Sequence, residues 1–338
     1  MKAVVVTEFG GPEVLRWMDV PDPHAGPGQI RVRVHAATVN PSDAVVRKGA
    51  AAALFEGRLV PPFSPGNEAA GVVDEIGPET ETDLRIGDRV MAFVVPYMAS
   101  GGAYAQHLVL DPRQVALAPA GSSHAEAATI PCNGLTVQQA MDFLSPAAGD
   151  WMAVTGAAGA VGGYTIQLAK AAGLHVVADA APADEELVRS LGADRIVARG
   201  AGVAGRILES VPGGVSSLMD WALLGREILP AIRPGGQLVM GRGSDMPGVG
   251  PLGEHPGITI HEVFVPEYVY EQDKLDGLRV QPSEENSRCG SPPSTPPPRP
   301  LKRTAAWKPA VSAAVWSSSS DRNGRRAEAL RILRHGHL

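Results

Sequence analysis

A glycine-rich stretch between two apolar runs, over residues 151–179, constrains the fold more than any other part of this sequence. It consists of a short apolar run, a glycine-rich segment, an apolar pattern of helical period, and a second β-rich run that ends in Asp179. This order predicts a strand, a tight turn, a helix and a second strand, the unit that holds a dinucleotide pyrophosphate over a helix N-terminus. The alternative is an ordinary glycine-rich turn between a strand and a helix.

The glycine spacing departs from the strict dinucleotide-binding pattern. Gly156, Gly159 and Gly162 follow G-x-x-G-x-x-G, so Ala157 stands in the first place of G-x-G-x-x-G. Alanine is tolerated there if its φ stays negative, whereas Gly159 lets the backbone approach the phosphates and Gly162 lets the helix pack on the strand. The residues predicted to bind the cofactor in this turn are Gly156, Ala157, Gly159, Ala160, Val161 and Gly162.

Asp179 stands 20 residues after Gly159, at the end of the second β-rich run. A carboxylate at this place accepts hydrogen bonds from the adenosine ribose hydroxyls and repels a 2′-phosphate. The loop that follows is acidic and holds no lysine or arginine before Arg189. The sequence therefore predicts an NAD(P)H site that favours NADH, with capping of the next helix as the alternative role for Asp179.

Composition excludes several classes of function. The chain has 338 residues, 44% of them hydrophobic, and a formal net charge of -6, so it offers no basic footprint for nucleic acid or an anionic membrane. Its two cysteines, Cys132 and Cys289, form no C-x-x-C pair, which argues against a disulfide framework and a four-cysteine zinc site. We find no signal peptide or membrane-spanning run, and we predict a cytoplasmic protein.

The pattern of predicted elements changes along the chain. Short β-like runs between Gly/Pro turns fill residues 1–119, and strict apolar/polar alternation in residues 30–36 predicts one buried and one wet face. Such runs suggest a small, partly closed all-β domain. From about residue 120 to 265, helical and strand patterns alternate, which predicts an α/β unit with a parallel sheet covered by helices on both faces. Asp220 and Gly241, at strand ends, are expected to face the cofactor crevice.

The character of the sequence changes again after about residue 279. Seven prolines fall between Gln281 and Pro300, and a serine run follows without a sustained hydrophobic period. This composition cannot bury enough apolar surface to offset chain entropy, so we predict that residues 280–338 are disordered.

Five short motifs stand in a specific order and spacing along the chain. They are VNPSD at residues 39–43, PGNEAAGVV at 65–73, IGDRV at 86–90, GAAGAVG at 156–162 and RSLGAD at 189–194. Together they resemble the medium-chain dehydrogenase/reductase superfamily, in its zinc-free quinone oxidoreductase-like branch. The resemblance implies a GroES-like catalytic domain over residues 1–120 and a Rossmann nucleotide-binding domain over residues 121–279, with the cofactor in the cleft between them.

The resemblance also bears on metal binding. Asn40 and Asn67 stand where zinc-dependent relatives carry a cysteine and a histidine, and Cys132 stands at a third ligand position. Neutral carboxamides are poor zinc ligands, and one cysteine alone will not hold the metal. We therefore predict no zinc site, and we interpret Cys132 as a small buried apolar residue.

Without a Lewis acid, a nicotinamide most easily delivers hydride to a quinone or an α,β-unsaturated carbonyl. By resemblance, Asn40 is the catalytic candidate that hydrogen-bonds the substrate oxygen or the nicotinamide amide, unless it only organises its turn. Asp43 either joins a polar network there or caps the following segment. Thr136 is implied to lie beside the nicotinamide ribose and ring, and Glu68 to pair with a nearby arginine. No protein acid is evident, so we expect solvent to supply the proton.

The leading hypothesis is an NAD(P)H-dependent reductase of quinones or enones with two domains and no metal. The alternatives are an enoyl-thioester reductase of a biosynthetic pathway and a non-catalytic nucleotide-binding protein. A homodimer through an edge strand at residues 258–265 is a further hypothesis.

Residues 280–338 resemble nothing in the family, which suggests either a reading-frame shift in a GC-rich gene or a natural divergent tail. The shift predicts that the catalytic domain lacks its closing strands and keeps an unpaired sheet edge.

Overall fold

Antiparallel strands build the first part of this protein in its computed structural model, which describes residues 1–50, 52, 59–241, 252, 255 and 257–279 and the backbone of residues 314–317. The strands are β1 Lys2–Val6, β2 Leu15–Asp19, β3 Ile30–Val39, β4 Glu68–Ile76, β5 Arg89–Phe93, β6 His107–Leu110 and β7 Val115–Leu117. One sheet has the order β3-β4-β5-β7, with β6 also paired to β3, and β1 pairs with β2. A short helix, α1, spans Pro41–Arg47 between β3 and β4.

The alternation predicted for residues 30–36 is confirmed in β3. Ile30, Val32 and Val34 are buried, whereas Arg33 is exposed. Because successive side chains of a strand point to opposite faces, the apolar ones fill the interior and the polar ones contact water.

A parallel sheet with helices on both faces forms the second part, as predicted. Its strands are β8 Trp151–Thr155, β9 His175–Ala180, β10 Arg195–Ala198, β11 Val215–Asp220, β12 Ile232–Met240 and β13 Thr259–Glu262. The order β10-β9-β8-β11-β12-β13 reverses between β8 and β11. In such doubly wound sheets, ligands bind outside the carboxyl ends of the strands at this switch point.

The remaining helices are α2 His124–Ala127, α3 Pro131–Leu144, α4 Ala160–Ala171, α5 Glu185–Ser190, α6 Val203–Ser210 and α7 Gln272–Gly277. Pro131 is the first residue of α3, where its missing N–H breaks no helical hydrogen bond. Phe93 of β5, Leu135 of α3 and Val154 of β8 belong to one core cluster, so α3 joins the two sheets through a continuous apolar interior. None of the helices in the described ranges is both long and apolar enough to cross a membrane.

Two further segments complete the second part. A 3₁₀ helix spans Gly225–Ala231, and the ring of Pro230 inside it would clash with the carbonyl four residues back in an α-helix. The edge strand predicted at residues 258–265 is confined to Thr259–Glu262, and a 3₁₀ turn over Val265–Tyr268 with Pro266 follows it.

The predicted disorder of residues 280–338 lies outside the described residues, except at one short strand. This strand, β14 Ala314–Ser317, pairs antiparallel with β3, with Ala314 opposite Val39 and Ser317 opposite Ala36. The prediction of an unpaired edge is therefore wrong at these four positions. A short segment needs only main-chain hydrogen bonds to join an open edge, and the Pro/Ser/Arg-rich surroundings hid it. The reading-frame hypothesis and the domain boundaries at residues 120 and 279 stay predictions.

Candidate functional site

The glycine-rich turn connects β8 to α4, as predicted. Gly156 has a φ of 63°, so the left-handed conformation falls on a glycine and not on Ala157. A Cβ on Gly162 would lie 2.3 Å from the Gly156 carbonyl oxygen, so only glycine lets α4 pack this close to the strand. A Cβ on Gly159 would meet that same oxygen at 3.1 Å and no other atom within 4 Å. Because α4 begins at Ala160, the N–H groups of its first turn form a cradle that fits a dinucleotide pyrophosphate.

Asp179 lies in β9 beside this turn. It is 5% exposed, and its Oδ1 accepts a hydrogen bond from Ala157 N at 3.2 Å, so the alternative of capping the next helix is wrong. Burial raises the pKa of the Asp179 carboxyl, while this hydrogen bond and the charge of Arg199 oppose the rise. Arg199 is exposed and follows the adjacent strand β10, where its N–H donates to the Ala180 carbonyl at 3.0 Å. The sequence pattern did not reveal Arg199, because only the loop after Asp179 was searched for positive charge. The pairing of β9 with β10 brings Arg199 close to Asp179.

Gly241, directly after β12, faces the indole of Trp221. A Cβ on Gly241 would lie 2.7 Å from Trp221 Cε3, so glycine leaves room for the ring. Trp221 directly follows β11, is half-buried, and donates from Nε1 to Thr165 Oγ1 in α4 at 2.8 Å. Sequence reasoning missed Trp221, although a large aromatic residue directly after this predicted strand is visible in the sequence.

The prediction that Asp220 faces the crevice is wrong. Asp220 is fully buried at the end of β11. Its Oδ1 accepts from Thr155 Oγ1 at 2.6 Å, and its Oδ2 accepts from Gly225 N at 2.8 Å. The carboxylate therefore satisfies a hydroxyl at the end of β8 and an N–H of the segment that follows β11, since buried polar groups need partners.

Asn40 lies at the corner between β3 and α1 and is 8% exposed. Its Nδ2 donates to Thr38 Oγ1 at 3.0 Å and to Glu68 Oε1 at 3.1 Å, which uses both amide hydrogens. The side chain of Asn40 faces the backbone N–H of Asp43 in a capping box, and the amide oxygen Oδ1, with two lone pairs, keeps one as the acceptor that Asn40 can offer. A donor such as the nicotinamide amide N–H matches it, whereas a substrate carbonyl would have to displace an existing bond.

Asp43 is buried and holds the backbone of the same corner. Its Oδ2 accepts from Asn40 N at 2.7 Å and from Tyr104 Oη at 2.9 Å, and its Oδ1 accepts from Gly66 N at 3.0 Å. Burial raises the pKa of Asp43 to about 6 against the opposing effect of these hydrogen bonds. Both structural roles predicted for Asp43, in a polar network and at the start of α1, are present, and a catalytic role stays a prediction.

Glu68 is the centre of a buried network in which no arginine of the described residues takes part, so the predicted pairing with an arginine is not seen among them. Glu68 Oε1 accepts from Asn40, from Thr38 Oγ1 and from Asn133 Nδ2, and Oε2 accepts from Cys132 N at 2.7 Å. Burial raises the pKa of Glu68 to about 7, and the negative charge of Asp43 adds to the rise. The carboxyl group of Glu68 is thus hydrogen-bonded by neutral donors from β3, from the corner before α1 and from α3, and no charged partner among the described residues balances it.

Hydrogen bonds continue from Glu68 to α4. Asn133, which donates to Glu68, also donates to the Thr129 carbonyl at 2.8 Å. Thr129 Oγ1 donates to the Glu126 carbonyl and lies 2.8 Å from Tyr164 Oη in α4. The corner that carries Asn40 is thus connected to the helix that forms the cradle.

Thr136 lies one turn after Cys132 in α3. It is half-buried, and its Oγ1 donates to the Cys132 carbonyl at 2.6 Å, which leaves the hydroxyl oxygen as an acceptor. Cys132 and Val161 of α4 pack against the same core, so Thr136 and the cradle are carried by neighbouring helices.

The three positions equivalent to zinc ligands form a poor donor set. Asn67 Oδ1 accepts from Ser42 Oγ at 3.0 Å. Burial raises the pKa of the Cys132 thiol, and the charges of Glu68 and Asp43 add to the rise, so the thiol is protonated. In the ranges that the structure describes, no group of three or more His, Cys, Asp and Glu side chains is arranged to hold a metal. The absence of zinc stays a prediction.

A cavity of about 700 Å³ lies apart from these residues, between the β-rich part and α7. Its charged lining is Glu79, Glu81, Asp83, Asp111, Arg113, Asp276 and Arg279. The excess of carboxylates opposes binding of a dinucleotide phosphate, and none of the predicted site residues lines this cavity.

Known proteins share this architecture. The alcohol dehydrogenase GroES-like domain family matches residues 26–120, which confirms the GroES-like prediction for the β-rich part. An alcohol dehydrogenase of Rhizobium meliloti is 34% identical over 58% of this chain and 63% of its own. An NADPH-dependent alkenal/one oxidoreductase of Arabidopsis thaliana is 32% identical over 73% of this chain and 64% of its own. The chain therefore spans less than two thirds of the length of these curated relatives.

Two solved structures extend the similarity to most of the fold. A probable oxidoreductase from Mycobacterium abscessus is 30% identical with a TM-score of 0.65, over 82% of this chain and 87% of its own. The quinone oxidoreductase from Coxiella burnetii is 26% identical with a TM-score of 0.66, over 83% of this chain and 89% of its own.

Proposed function

The chain belongs to the medium-chain dehydrogenase/reductase superfamily, in its quinone oxidoreductase-like branch, and from this premise we propose that it is an NAD(P)H-dependent oxidoreductase that reduces a quinone or an α,β-unsaturated carbonyl without zinc. The observation that carries the proposal is the glycine cradle at the switch point of the parallel sheet, because its geometry fits a dinucleotide. The names of the alkenal/one and quinone oxidoreductases support this reaction class.

The reduced nicotinamide supplies hydride when it is bound, and the chain binds and orients its carrier. In this proposal the N–H groups at Ala160 and Val161 receive the pyrophosphate, whereas the Gly159 N–H donates to the Gly156 carbonyl at 2.9 Å and holds the turn. Thr136 and Gly241 flank the nicotinamide half, since α3 and the end of β12 border the crevice.

Asn40 is proposed to accept a hydrogen bond from the nicotinamide amide through the second lone pair of Oδ1, because both of its amide hydrogens are already used. The acidic groups around it are poor proton donors to a substrate, because Asp43, Glu68 and Tyr104 are each at most 6% exposed and hydrogen-bonded inside the protein. Solvent is therefore proposed as the source of the proton that follows hydride transfer.

The proposed preference for NADH rests on Asp179. Its carboxylate lies beside the glycine turn and would repel a 2′-phosphate. The exposed Arg199 reduces this repulsion, because its charge acts on the same carboxylate. Asp179 and Arg199 together support use of both NADH and NADPH, with NADH favoured.

The test is oxidation of NADH and of NADPH by 1,4-benzoquinone, by a simple enone and by an acyl thioester. The Gly159→Ala variant places a methyl group in the cradle, where it contacts only the Gly156 oxygen, so we expect cofactor binding to weaken at least tenfold without loss of fold. Gly205→Ala is the matched control, since a Cβ at Gly205 in α6 meets no atom within 4 Å. Turnover of the thioester alone would replace the proposal with an enoyl reductase, and binding without any turnover would replace it with a non-catalytic binder.

A further inference from the structure

Trp221 occupies the point where the parallel sheet reverses direction. Asp220, the last residue of β11, pairs with Thr155, the last residue of β8, so Trp221 lies level with the first glycine of the turn. A Cβ on Gly156 would meet the Trp221 carbonyl carbon at 3.2 Å and its Cβ at 3.4 Å. The side chain of Trp221 therefore leaves the backbone beside the glycine turn, and it belongs to β11's side of the switch point whereas the turn belongs to β8's side.

Two neighbours fix the orientation of the ring. Thr165 Oγ1 donates to the Val161 carbonyl at 2.9 Å and accepts from Trp221 Nε1 at 2.8 Å, which ties the indole to α4. The ring also lies 2.7 Å from the place that a Cβ on Gly241 would take, so it covers the end of β12. A half-buried indole held in this way presents a fixed apolar surface beside the crevice.

A dinucleotide with its pyrophosphate on the first turn of α4 must extend its nicotinamide half past the carboxyl ends of β8, β11 and β12. The surface that it meets there includes the indole of Trp221. Flat aromatic rings pack favourably in offset or edge-to-face contact. We infer that Trp221 is the packing surface for the nicotinamide half of the cofactor, and this inference rests on the proposed function.

The first measurement is tryptophan emission during titration with oxidised cofactor, NAD⁺, because a nicotinamide in contact with an indole quenches its fluorescence. The chain has five tryptophans, so the contribution of Trp221 is isolated by comparison with Trp221→Phe. Trp151→Phe is the matched control, because Trp151 is the first residue of β8, at the amino end of the strands and away from the crevice, and stacks on His175. We expect quenching in the unmodified protein and in Trp151→Phe, and loss of most of it in Trp221→Phe.

The second measurement is the dissociation constant of NADH by isothermal titration calorimetry. Loss of an aromatic stacking surface weakens binding by about tenfold or more, so Trp221→Ala is expected to bind NADH at least that much more weakly while Trp221→Phe stays close to the unmodified protein. Melting curves of the variants report on folding, and the quenching of Trp221→Phe remains decisive if Trp221→Ala does not fold.

An unchanged or tighter dissociation constant in Trp221→Ala, or unchanged quenching in Trp221→Phe, overturns the inference and leaves the proposed function standing. An unmodified protein that binds neither NADH nor NADPH overturns the proposed function, and the inference with it.

Discussion

Replacing Glu68 with glutamine tests the buried network most directly, because the pKa of this carboxyl rises from 4.5 to about 7 on folding. The folded state then binds the proton more tightly than the unfolded state. The contribution of protonated Glu68 to the free energy of unfolding is fully present below pH 4.5 and is lost as the pH rises toward 7. At about 1.4 kcal/mol per pKa unit, ionisation of Glu68 removes about 3 kcal/mol from the free energy of unfolding over this range.

Glutamine cannot ionise, but it carries a donor that Glu68 lacks when ionised. The carboxyl group accepts from the side chains of Thr38, Asn40 and Asn133 and from Cys132 N, so an amide NH₂ must face at least one donor. One unsatisfied buried donor costs about 1–3 kcal/mol. We therefore expect Glu68→Gln to be less stable than the unmodified protein at pH 5 and to recover about 3 kcal/mol relative to it by pH 8.

The assay is urea unfolding at four pH values from about 5 to 8, followed by tryptophan fluorescence. Only the difference between variant and unmodified protein is informative, since the lowered pKa values of His35, His107, His124 and His261 make stability rise with pH over part of the same range in both proteins. Glu126→Gln is the matched control. The pKa of Glu126 is lowered by hydrogen bonds from Ser123, so its contribution is lost only below 4.5 and its difference stays flat.

A difference for Glu68→Gln that stays constant within about 1 kcal/mol from pH 5 to 8 would refute the argument, because it would mean that Glu68 does not titrate in this window. A difference that moves in the opposite direction would mean that the ionised form is the one that the network stabilises.

Four further predictions test the other parts of the site. Asp179→Ser raises the ratio of kcat/KM for NADPH over NADH by about tenfold or more, and Arg199→Ala lowers it, because the two charges act oppositely on a 2′-phosphate; equal ratios in both variants would contradict this. Asn40→Ala lowers kcat/KM for the reductase reaction by about tenfold, the value of one lost hydrogen bond, and an unchanged kcat/KM would remove Asn40 from the mechanism. Metal analysis finds no stoichiometric zinc and chelation leaves activity intact, whereas a full equivalent of zinc would overturn the expectation. Truncation after residue 279 speeds amide exchange in residues 36–39 relative to truncation after residue 317, because only the first removes β14; equal exchange would show that the strand adds no protection.

Local patterns in the sequence predicted the cradle well, because its geometry is set within a few residues. A glycine is needed at 156 for positive φ and at 162 for close packing, and both requirements follow from the turn alone. The surroundings of Asp179, Glu68 and Asp220 were not predictable in this way. Arg199 reaches Asp179 from the next strand, and the donors to Glu68 come from residues 28 to 65 positions away, so their identity depends on tertiary packing.

The same network that escaped prediction limits how the site can move. Asn40 is joined to Glu68, Glu68 to the start of α3 and to Asn133, and Asn133 through Thr129 to Tyr164 in α4. Several of these groups are buried, so parting the corner from the cradle would leave polar atoms without partners at a cost of about 1–3 kcal/mol each. Closure over a substrate therefore has to leave the distance between Asn40 and α4 nearly fixed. Trp221, which donates to Thr165 and takes no part in this chain of hydrogen bonds, is not bound by that constraint.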